Sequence, residues 1–481
     1  MITRKEFLLT IPAVALAPTA FAETEIKPAT TPAPTKKPEP TPLTLPPIQP
    51  GPPYLQAGPQ LGHVAHDHAL LWVRATATAP WKVVVTEAAN PNAPREFTGP
   101  ELGVASGYSG IVKLDGLKPG TRYHYEVFLG DRPQTPRPSP SFSTAPTPDQ
   151  PIKLRIALGS CVGDTLAGAA PAWAELAARQ TMKPEQGAFD LLLMLGDNHY
   201  ANTTEIEKLR VYYTAHRLTG GWRELAAQSP IYAIWDDHDY GPNDSDSTQK
   251  GKEDSLRIFK EYWANPACGE SENPGCYYTF MRGDVQFFML DCRYHRSPNK
   301  APDGPEKTML GAKQLEWLKR ELSSSKARIK ILATGSEWET FSQQDSWASF
   351  RTERDAFFAW IAEHQIEGII LLSGDRHFSA AYHVVGKFVE LSGGPFGSNN
   401  ATLKPNPERF TGWDEGRLWF VLDLDTTKTN PAVAVELWQA GGGRLDRRVL
   451  TWDQVNGRAP IASSPFPLKP ARMEVKATKP S

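Results

Sequence analysis

Four short apolar runs in this chain each end in side chains that can bind a metal ion. The residues that follow them, in chain order, are Gly159-Ser160-Cys161, Gly196-Asp197-Asn198-His199-Tyr200, Asp236-Asp237-His238-Asp239 and Gly374-Asp375-Arg376-His377. A short apolar run without alternation is typical of a strand buried on both faces of a parallel sheet. Because α/β sheets bind ligands beyond the carboxyl ends of their strands, the pattern predicts an α/β domain with one site at those ends.

The two ends of the chain differ in composition from the rest. Residues 1–22 have a charged start at Arg4-Lys5, an apolar middle and the small-residue sequence Ala20-Phe21-Ala22, which together predict an export signal. Arg4-Lys5 is a variant of the twin-arginine pattern, and a general secretion signal is the alternative. Residues 23–53 and 458–481 are rich in Pro and Lys and are expected to form a linker and a tail. The protein is therefore expected in the periplasm or outside the cell.

Two folded domains are expected between these segments. Residues 54–145 contain short β-type runs separated by Gly, Pro and Asn turns, which predicts an all-β sandwich. The stretch from Leu117 to Tyr125 resembles the corner of fibronectin type III-like domains, where a tyrosine hydroxyl bonds back to the corner backbone. In residues 151–455, apolar runs alternate with helical patterns such as 314–323 and 353–364, which predicts a larger α/β domain.

Composition limits the possible partners. The formal net charge is -2 over 481 residues, so bulk charge gives no reason to expect a nucleic-acid partner. Outside the N-terminal signal, no apolar segment reaches the roughly 18 residues of a membrane span. We expect a monomer, although no feature of the sequence reports on oligomeric state.

Cys268 and Cys276 flank a loop of turn-forming residues, and in an oxidising compartment they are expected to form a disulfide.

The Asp-rich segment that begins at Asp236 is the strongest local signal for a cation. Carboxylates at this density repel one another unless a cation or solvent offsets their charge. Gly241-Pro242 can turn the chain so that Asn243 approaches Asp237. Asp375 and His377 are two residues apart, so on an extended segment both can reach one site. Considered alone, Cys161 is more simply a packed core thiol, and Tyr200 an aromatic packing residue.

Taken in order, these motifs resemble those of the alkaline phosphatase D family. The motifs are Gly-Ser-Cys, Gly-Asp-x-x-Tyr, Trp-Asp-Asp-His-Asp, Leu-Asp-x-Arg and Ser-Gly-Asp-x-His, and the resemblance covers residues 54 to 455. The family comprises exported metal-dependent phosphodiesterases and phosphomonoesterases of the calcineurin-like metallophosphoesterase superfamily. The resemblance implies a four-layer α/β/β/α sandwich preceded by the small all-β fibronectin III-like domain. It also implies a phosphoric ester hydrolase in which a metal-bound hydroxide attacks phosphorus in line.

The resemblance implies which side chains bind metal ions. Four would hold Fe3+: Cys161, Asp197, Tyr200 and His377. Asp197 would bridge to a second, Ca2+-like site that includes Asp375. Asn243 and Asp237 compete for the remaining place at that second site, and the sequence does not choose between them.

Catalytic and supporting roles follow from the same resemblance. His238, with Asp237 beside it, would protonate the leaving oxygen or bind the phosphoryl group. Arg376 and Arg293 are candidates for holding a phosphate oxygen, and pairing with Asp291 alone is the alternative for Arg293. Two further acids would support the ligands: Asp236 and Asp239.

The substrate is expected to be a small-molecule, lipid or polymer phosphate ester. Two alternatives stay open: a phospholipase D-like activity on the same scaffold, and a cell-surface binding module whose metal ions are structural. Trp338, Phe341 and Trp347 could line an apolar pocket, but we expect them in the core.

Overall fold

The computed structural model describes residues 43–135, 139–341 and 345–464. The export signal predicted for residues 1–22 lies outside the described residues, as do most of the 23–53 linker and most of the 458–481 tail. No helix in the described ranges combines the length and the apolar character that crossing a membrane requires.

The first part of the described chain forms two antiparallel sheets. Its strands are β1 Leu55–Val64, β2 Ala69–Ala75, β3 Trp81–Glu87, β4 Asn90–Thr98, β5 Ser109–Leu114, β6 Arg122–Leu129, β7 Arg132–Pro133 and β8 Ser141–Ser143. The sheet orders are β1-β2-β5 and β4-β3-β6-β7, with β8 paired to β6. Alternate residues such as Val83, Val85 and Val127 build one core. The Tyr123 hydroxyl accepts a hydrogen bond from Lys118 N at 2.9 Å, so the predicted tyrosine corner is confirmed.

Two larger sheets follow. The strands are β9 Lys153–Gly159, β10 Leu191–Leu195, β11 Ile231–Ile234, β12 Tyr278–Arg282, β13 Val285–Met289, β14 Ile329–Ala333, β15 Ile369–Ser373, β16 Ser379–Val384, β17 Phe388–Ser392, β18 Arg409–Trp413, β19 Leu418–Asp425, β20 Ala432–Gln439 and β21 Gly443–Leu450. One sheet has the order β11-β10-β9-β19-β20-β21, and the other has the order β12-β13-β14-β15-β17-β16-β18.

Helices cover these two sheets. They are α1 Leu166–Arg179, α2 Ile206–Arg217, α3 Trp222–Gln228, α4 Asp237–Tyr240, α5 Lys252–Tyr262, α6 Ala312–Ser324, α7 Arg351–Glu363 and α8 Trp452–Val455, with 3-10 turns at Val104–Ser106, Pro184–Gln186 and Trp347–Ser349. In β13, Phe287 belongs to the main core of both sheets. Its neighbour Phe288 packs in a second core with Leu318 of α6 and Phe358 of α7. Together with the helices on the six-stranded sheet, this confirms the predicted four-layer α/β/β/α fold.

The apolar runs that end in polar clusters are the parallel strands of these sheets. Strands β9, β10 and β11 are parallel neighbours, and β15 is parallel to β14 and β17. Every residue from Leu191 to Leu195 is buried, as expected for a strand covered on both faces. Parallel strands present their carboxyl ends on the same side, so the fold gathers the candidate ligands at one edge.

The all-β part packs directly against the α/β part. His63 N donates to Ala264 O at 2.8 Å, and Trp72 Nε1 donates to Glu261 O at 2.9 Å. A Cβ placed on Gly62 would lie 2.1 Å from Ala264 O, so only a glycine allows this approach of the two backbones. Val64 N donates to the hydroxyl of Tyr232, which belongs to β11. The all-β part is thus bonded to a strand that leads into the candidate site.

The predicted disulfide between Cys268 and Cys276 does not form in this structure, where both are free thiols. Cys276 lies in the main core and Cys268 packs against it, so each sulfur acts as a small apolar group. Burial raises the pKa of Cys268 to about 12 and that of Cys276 well above its usual value. The prediction was wrong because the turn sequence is stabilised by packing rather than by a covalent bond.

Candidate metal centre

The candidate ligands occupy tight turns directly after the strands. Cys161, Asp197 and Asp375 are each the second residue beyond the end of β9, β10 and β15. All three have a left-handed backbone, with φ of 59°, 52° and 73°, and His377 shares it at 57°. This conformation is uncommon outside glycine and concentrates at functional sites, where the surrounding structure holds it in place. The fold therefore fixes these four side chains in an unfavourable backbone geometry.

Four side chains that the family resemblance assigned to a metal ion lie together in the structure, and we call them the first ligand group: Cys161, Asp197, Tyr200 and His377. The Tyr200 hydroxyl donates to Asp197 Oδ2 at 2.9 Å and lies 3.0 Å from His377 Nε2. Cys161 Sγ lies 3.5 Å from the same oxygen of Asp197. The structure thus brings together one thiol, one carboxylate, one phenol and one imidazole.

These separations fit a shared cation. Two atoms that each lie about 2.0–2.3 Å from one ion are about 3.0–3.5 Å apart. Ligand atoms of Cys161, Asp197 and His377 all fall within 4.8 Å of one another. The second oxygen of Asp197, Oδ1, is buried and has no hydrogen-bond partner among the described residues. An unpartnered buried carboxylate oxygen is costly, and coordination to a cation would satisfy it.

The electrostatics of the first ligand group also call for a cation. Burial, followed by the charges of Asp237 and Asp236, raises the pKa of Asp197 well above its usual range. Burial and then Asp197 raise the pKa values of the Cys161 thiol and the Tyr200 phenol. Each group is therefore a poor anion in the protein alone. A bound cation reverses this, because it stabilises thiolate, carboxylate and phenolate together.

A second group of oxygen donors adjoins the first. Asp237 has ligand atoms within 4.8 Å of Asp197 and His238. Its oxygens also accept hydrogen bonds from His238 N at 2.9 Å and Asp244 N at 2.7 Å. Burial would raise the pKa of Asp237, but Arg293 and His238 outweigh it and keep that pKa below its usual value. Asp237 is therefore an anion next to the carboxylate of Asp197.

Asp375 and Asn243 lie on the wall of the cavity beside the ligand groups. Both line one cavity together with His238 and His377. Burial raises the pKa of Asp375 well above its usual value, against the opposing effect of Arg376. The charge of Asp375 also raises the pKa of Asp197, so the two carboxylates interact electrostatically.

His238 lies at the boundary between the first ligand group and the cavity. Its ring stacks on Tyr200, with centroids 4.1 Å apart and planes inclined by 30°. Its Nδ1 lies 2.5 Å from Asn202 Oδ1. Because an amide oxygen only accepts, Nδ1 must carry the proton in this contact. Asn202 thereby fixes the ring, and the sequence analysis did not identify this residue.

The cavity beside the two ligand groups has a volume of about 430 Å3. Arg376 lines it and pairs with Glu337 at 2.8 Å and with Asp375 at 3.3 Å. Burial opposes the charge of Arg376, but these two carboxylates outweigh burial and raise its pKa. The predicted phosphate-binding arginine is thus charged and held at the cavity wall.

Trp338 and Trp347 are fully buried and stack at 4.1 Å, as expected for core residues. Phe341 was also expected in the core, but it is 56% exposed and lines the cavity. Its aromatic ring is therefore available at the entrance of the candidate site.

Arg293 does not reach the cavity, so its expected contact with a phosphate oxygen is wrong. Its side chain is completely buried and pairs with Asp236 at 2.5 Å and with Asp345 at 2.7 Å. Arg296 also pairs with Asp345 at 2.5 Å. Arg293 instead joins the loop that carries Asp236 to the loop after β14, and the fixed loop supports the neighbouring Asp237.

Asp239 forms hydrogen bonds with both of the turns that carry Asp197 and Asp237, in agreement with its expected supporting role. Its carboxylate accepts from Asn198 N at 3.1 Å and from Asp236 N at 3.2 Å. Asn198 follows Asp197, and Asp236 precedes Asp237. Burial raises the pKa of Asp239 to about 7 despite these hydrogen bonds. One side chain therefore sets the spacing between the turns after β10 and β11.

The loop Gly393–Ser398 is a part of the site that the sequence analysis missed. It follows β17, and three of its backbone N–H groups donate to the turn after β9. These are Phe396 N to Ser160 O at 3.0 Å, and Gly397 N and Ser398 N to Cys161 O at 3.0 and 3.1 Å. The signal that could have revealed it is the buried run Phe388–Ser392, which ends in a Gly-rich segment just as the other strands end in ligands.

Comparison with known proteins gives two family matches in different parts of the chain. The model of the PhoD-like phosphatase family matches residues 156–415. Residues 52–147 match a domain of unknown function. Alkaline phosphatase D from Bacillus subtilis (strain 168) is 25% identical over 339 residues, which is 60% of this chain. The chain spans 56% of the length of that relative.

Solved structures agree in fold. A structure of PhoD superposes with a TM-score of 0.65 and 19% identity, covering 82% of this chain and 91% of that one. Purple acid phosphatase PPD1 from yellow lupin (Lupinus luteus) seeds gives a TM-score of 0.60 and 12% identity, covering 85% of this chain and 77% of that one. At these identities the likeness shows a shared fold.

Proposed function

Because the chain belongs to the PhoD-like phosphatase family, we propose that it is a metal-dependent phosphoric ester hydrolase. Membership confirms the resemblance that the motifs indicated. One observation carries the metal dependence: the first ligand group surrounds a carboxylate, Asp197, whose buried Oδ1 has no partner among the described residues. That group lies beside a cavity large enough for an organic phosphate ester.

The two ligand groups support two different ions. Thiolate, phenolate, carboxylate and imidazole together suit Fe3+ at Cys161, Asp197, Tyr200 and His377. The second site would consist of oxygen donors, which suits Ca2+. Asp197 would bridge the ions, and Asp375, Asp237 and Asn243 would complete the second site. The proximity of Asp237 to Asp197 favours it as a ligand, and Asn243 is supported by its place on the cavity wall.

Bound in this way, the ions would neutralise phosphoryl oxygens and make a hydroxide nucleophile available at neutral pH. The protein's own residues supply the remaining steps. His238 reaches the cavity with its Nδ1–H held by Asn202. In the doubly protonated ring, the second proton, on Nε2, would pass to the leaving oxygen. A positioned general acid contributes about 10²–10⁴-fold. Arg376 would bind a non-bridging phosphate oxygen from the cavity wall.

The size and the lining of the cavity support a class of substrate. Its volume of about 430 Å3 exceeds the space that a bare phosphoryl group needs. Phe341, Phe378 and Leu403 contribute apolar surface, and Lys404 contributes a cation. We propose that the substrate is a small-molecule, lipid or polymer phosphate ester whose organic part occupies this cavity. Export to the periplasm or the cell exterior, which rests on residues 1–22, remains part of the proposal.

Substitution of Asp197 tests the metal dependence. Asp197→Asn keeps the size of the side chain but removes the bridging charge, so we expect loss of both iron content and turnover. Asp284→Asn is the matched control, because Asp284 is also buried but bonds to Thr426 far from the site. Metal content is measured by elemental analysis, and turnover with a chromogenic phosphodiester and the matching monoester. Retention of metal and activity by Asp197→Asn would refute the proposal.

The same assay separates the alternatives. Chelator-sensitive hydrolysis of the diester or monoester supports the hydrolase. Release of an alcohol headgroup from a phospholipid, with neither chromogenic ester cleaved, would favour the phospholipase D-like activity. Absence of chelator-sensitive hydrolysis on every substrate would favour a binding module with structural metal ions. The iron-loaded protein should also show a visible charge-transfer band, and a colourless protein active only with zinc or magnesium would contradict the Fe3+ assignment.

A further inference from the structure

The loop Gly393–Ser398 reaches the first ligand group through one side chain. Ser398 Oγ donates a hydrogen bond to the Tyr200 hydroxyl oxygen at 2.9 Å. The Ser398 side chain is buried, with 6% of the residue exposed. Tyr200 also contacts members of the first ligand group, among them Asp197 and His377. Ser398 lies outside that group, and the sequence analysis assigned it no role.

The backbone of Ser398 is held independently of its hydroxyl. Its N–H donates to Cys161 O at 3.1 Å, and its carbonyl accepts from Arg417 at 2.8 Å. Gly397 is fixed by its own hydrogen bond to Cys161 O at 3.0 Å. Removal of the hydroxyl would leave these contacts in place, so the side chain is not needed to position the loop.

We propose that Ser398 is a positioning residue that donates a hydrogen bond to the Tyr200 oxygen when that oxygen is a metal-bound phenolate. This inference rests on the proposed function, because it requires a metal ion at the first ligand group. As a ligand, Tyr200 would be a phenolate whose proton has passed to solvent, so its own hydrogen bond to Asp197 would end. The Ser398 hydroxyl then remains as a donor, now to an anion, and hydrogen bonds to ionised groups are about twice as strong as neutral ones.

Two physical effects follow for the metal site. A donor to the phenolate stabilises the charged form and so favours ligation. It also withdraws electron density from the oxygen, which raises the energy of the charge-transfer transition from phenolate to Fe3+. Partners of metal ligands commonly act in this way, and their loss costs about 10–100-fold in metal affinity or activity.

The test uses the full-length protein loaded with Fe3+ and three variants. Ser398→Ala should move the visible charge-transfer band to longer wavelength and should speed iron loss to excess EDTA about tenfold. Ser398→Thr keeps a hydroxyl and should restore both values. Ser379→Ala is the matched control, because Ser379 is a buried serine that bonds to Gly394 in the same loop without contacting Tyr200. Its band should match that of the wild type.

The outcomes are distinct. An unchanged band and an unchanged rate of iron loss in Ser398→Ala would overturn the inference while leaving the proposed function intact. A wild-type protein that gains no band with Fe3+ would instead overturn the iron assignment on which the inference depends. If Ser398→Ala does not fold, Ser398→Cys replaces it, because a thiol is a weaker donor and should produce a smaller shift in the same direction. No shift in Ser398→Cys would equally overturn the inference.

Discussion

Gly397→Ala should destabilise the protein because this glycine lies against another backbone. A Cβ on Gly397 would lie 1.9 Å from Val162 O and 2.8 Å from Ala169 N. Real Cβ atoms do not approach backbone closer than 3.0 Å, so one of the two segments must retreat by about 1.1 Å. Gly397 has no left-handed φ, so the conflict is one of space alone.

The free-energy cost of this displacement follows from the contacts that it breaks. Overpacking costs about 1–3 kcal/mol. The hydrogen bonds from Gly397 N and Ser398 N to Cys161 O would lengthen, and each contributes about 1 kcal/mol. The free energy of unfolding should therefore fall by about 3–5 kcal/mol, which is a large share of the 5–15 kcal/mol typical of folded proteins. The retreat would also displace Cys161, so iron retention should decline.

Urea denaturation followed by tryptophan fluorescence measures this loss, since the chain has 14 tryptophans. Gly304→Ala is the control, because a Cβ there has no atom within 4 Å and Gly304 has no left-handed φ. It should change the unfolding free energy by less than about 0.5 kcal/mol. If the unfolding free energy of Gly397→Ala stays within about 1 kcal/mol of the wild type, the loop and the Cys161 turn are not tightly packed against each other, which contradicts the prediction.

Three further perturbations test other parts of the structure. Arg293→Met leaves the buried Asp236 without its cation and removes one of the two arginines that pair with Asp345, so it should lower the unfolding free energy by about 3–5 kcal/mol. The exposed control Arg320→Met should cost less than about 1 kcal/mol in the same urea titration. Burial lowers the pKa of His216 from 6.5 to about 3. As the pH falls, the unfolded chain therefore binds a proton at this histidine near pH 6.5, whereas the folded protein binds it only near pH 3. Relative to His216→Phe, the wild type should therefore lose about 1.4 kcal/mol of stability per pH unit over that window, and equal slopes in a pH series would contradict this. Asn202→Ala should lower kcat about tenfold or more with metal content unchanged, because His238 loses the acceptor that orients it, and an unaltered kcat would count against the proposed acid.

The strands could be predicted because burial on both faces leaves a local mark. The apolar run before Gly196-Asp197 is Leu191–Leu195, which corresponds residue for residue to β10. The helical patterns at 314–323 and 353–364 lie within a residue or two of α6 and α7. The residues of such a segment show by themselves which faces are buried, so no information from residues far along the chain is needed to identify it.

Contacts between distant loops could not be predicted in the same way. Ser398 and Tyr200 are 198 positions apart, and nothing near either residue indicates the other. Arg293 follows an acidic residue after a strand, which suggested a phosphate contact, but its partner Asp345 comes from a separate loop and draws it into the interior. Whether a polar side chain faces a cavity or a buried partner depends on loop packing, which pattern reasoning does not capture.

The direct contact between the all-β part and the α/β part determines how the molecule can be divided. The two family matches are separated near residue 150, which suggests an obvious place to cut the chain. A fragment starting there would lose the partners of Ala264 O and Glu261 O and would uncover the surface against which Gly62 packs. Tyr232, in the strand that leads to Asp236, would lose its bond to Val64. The segment that matches the phosphatase family is therefore smaller than the part of the chain that packs together, and a recombinant fragment should begin no later than Leu55.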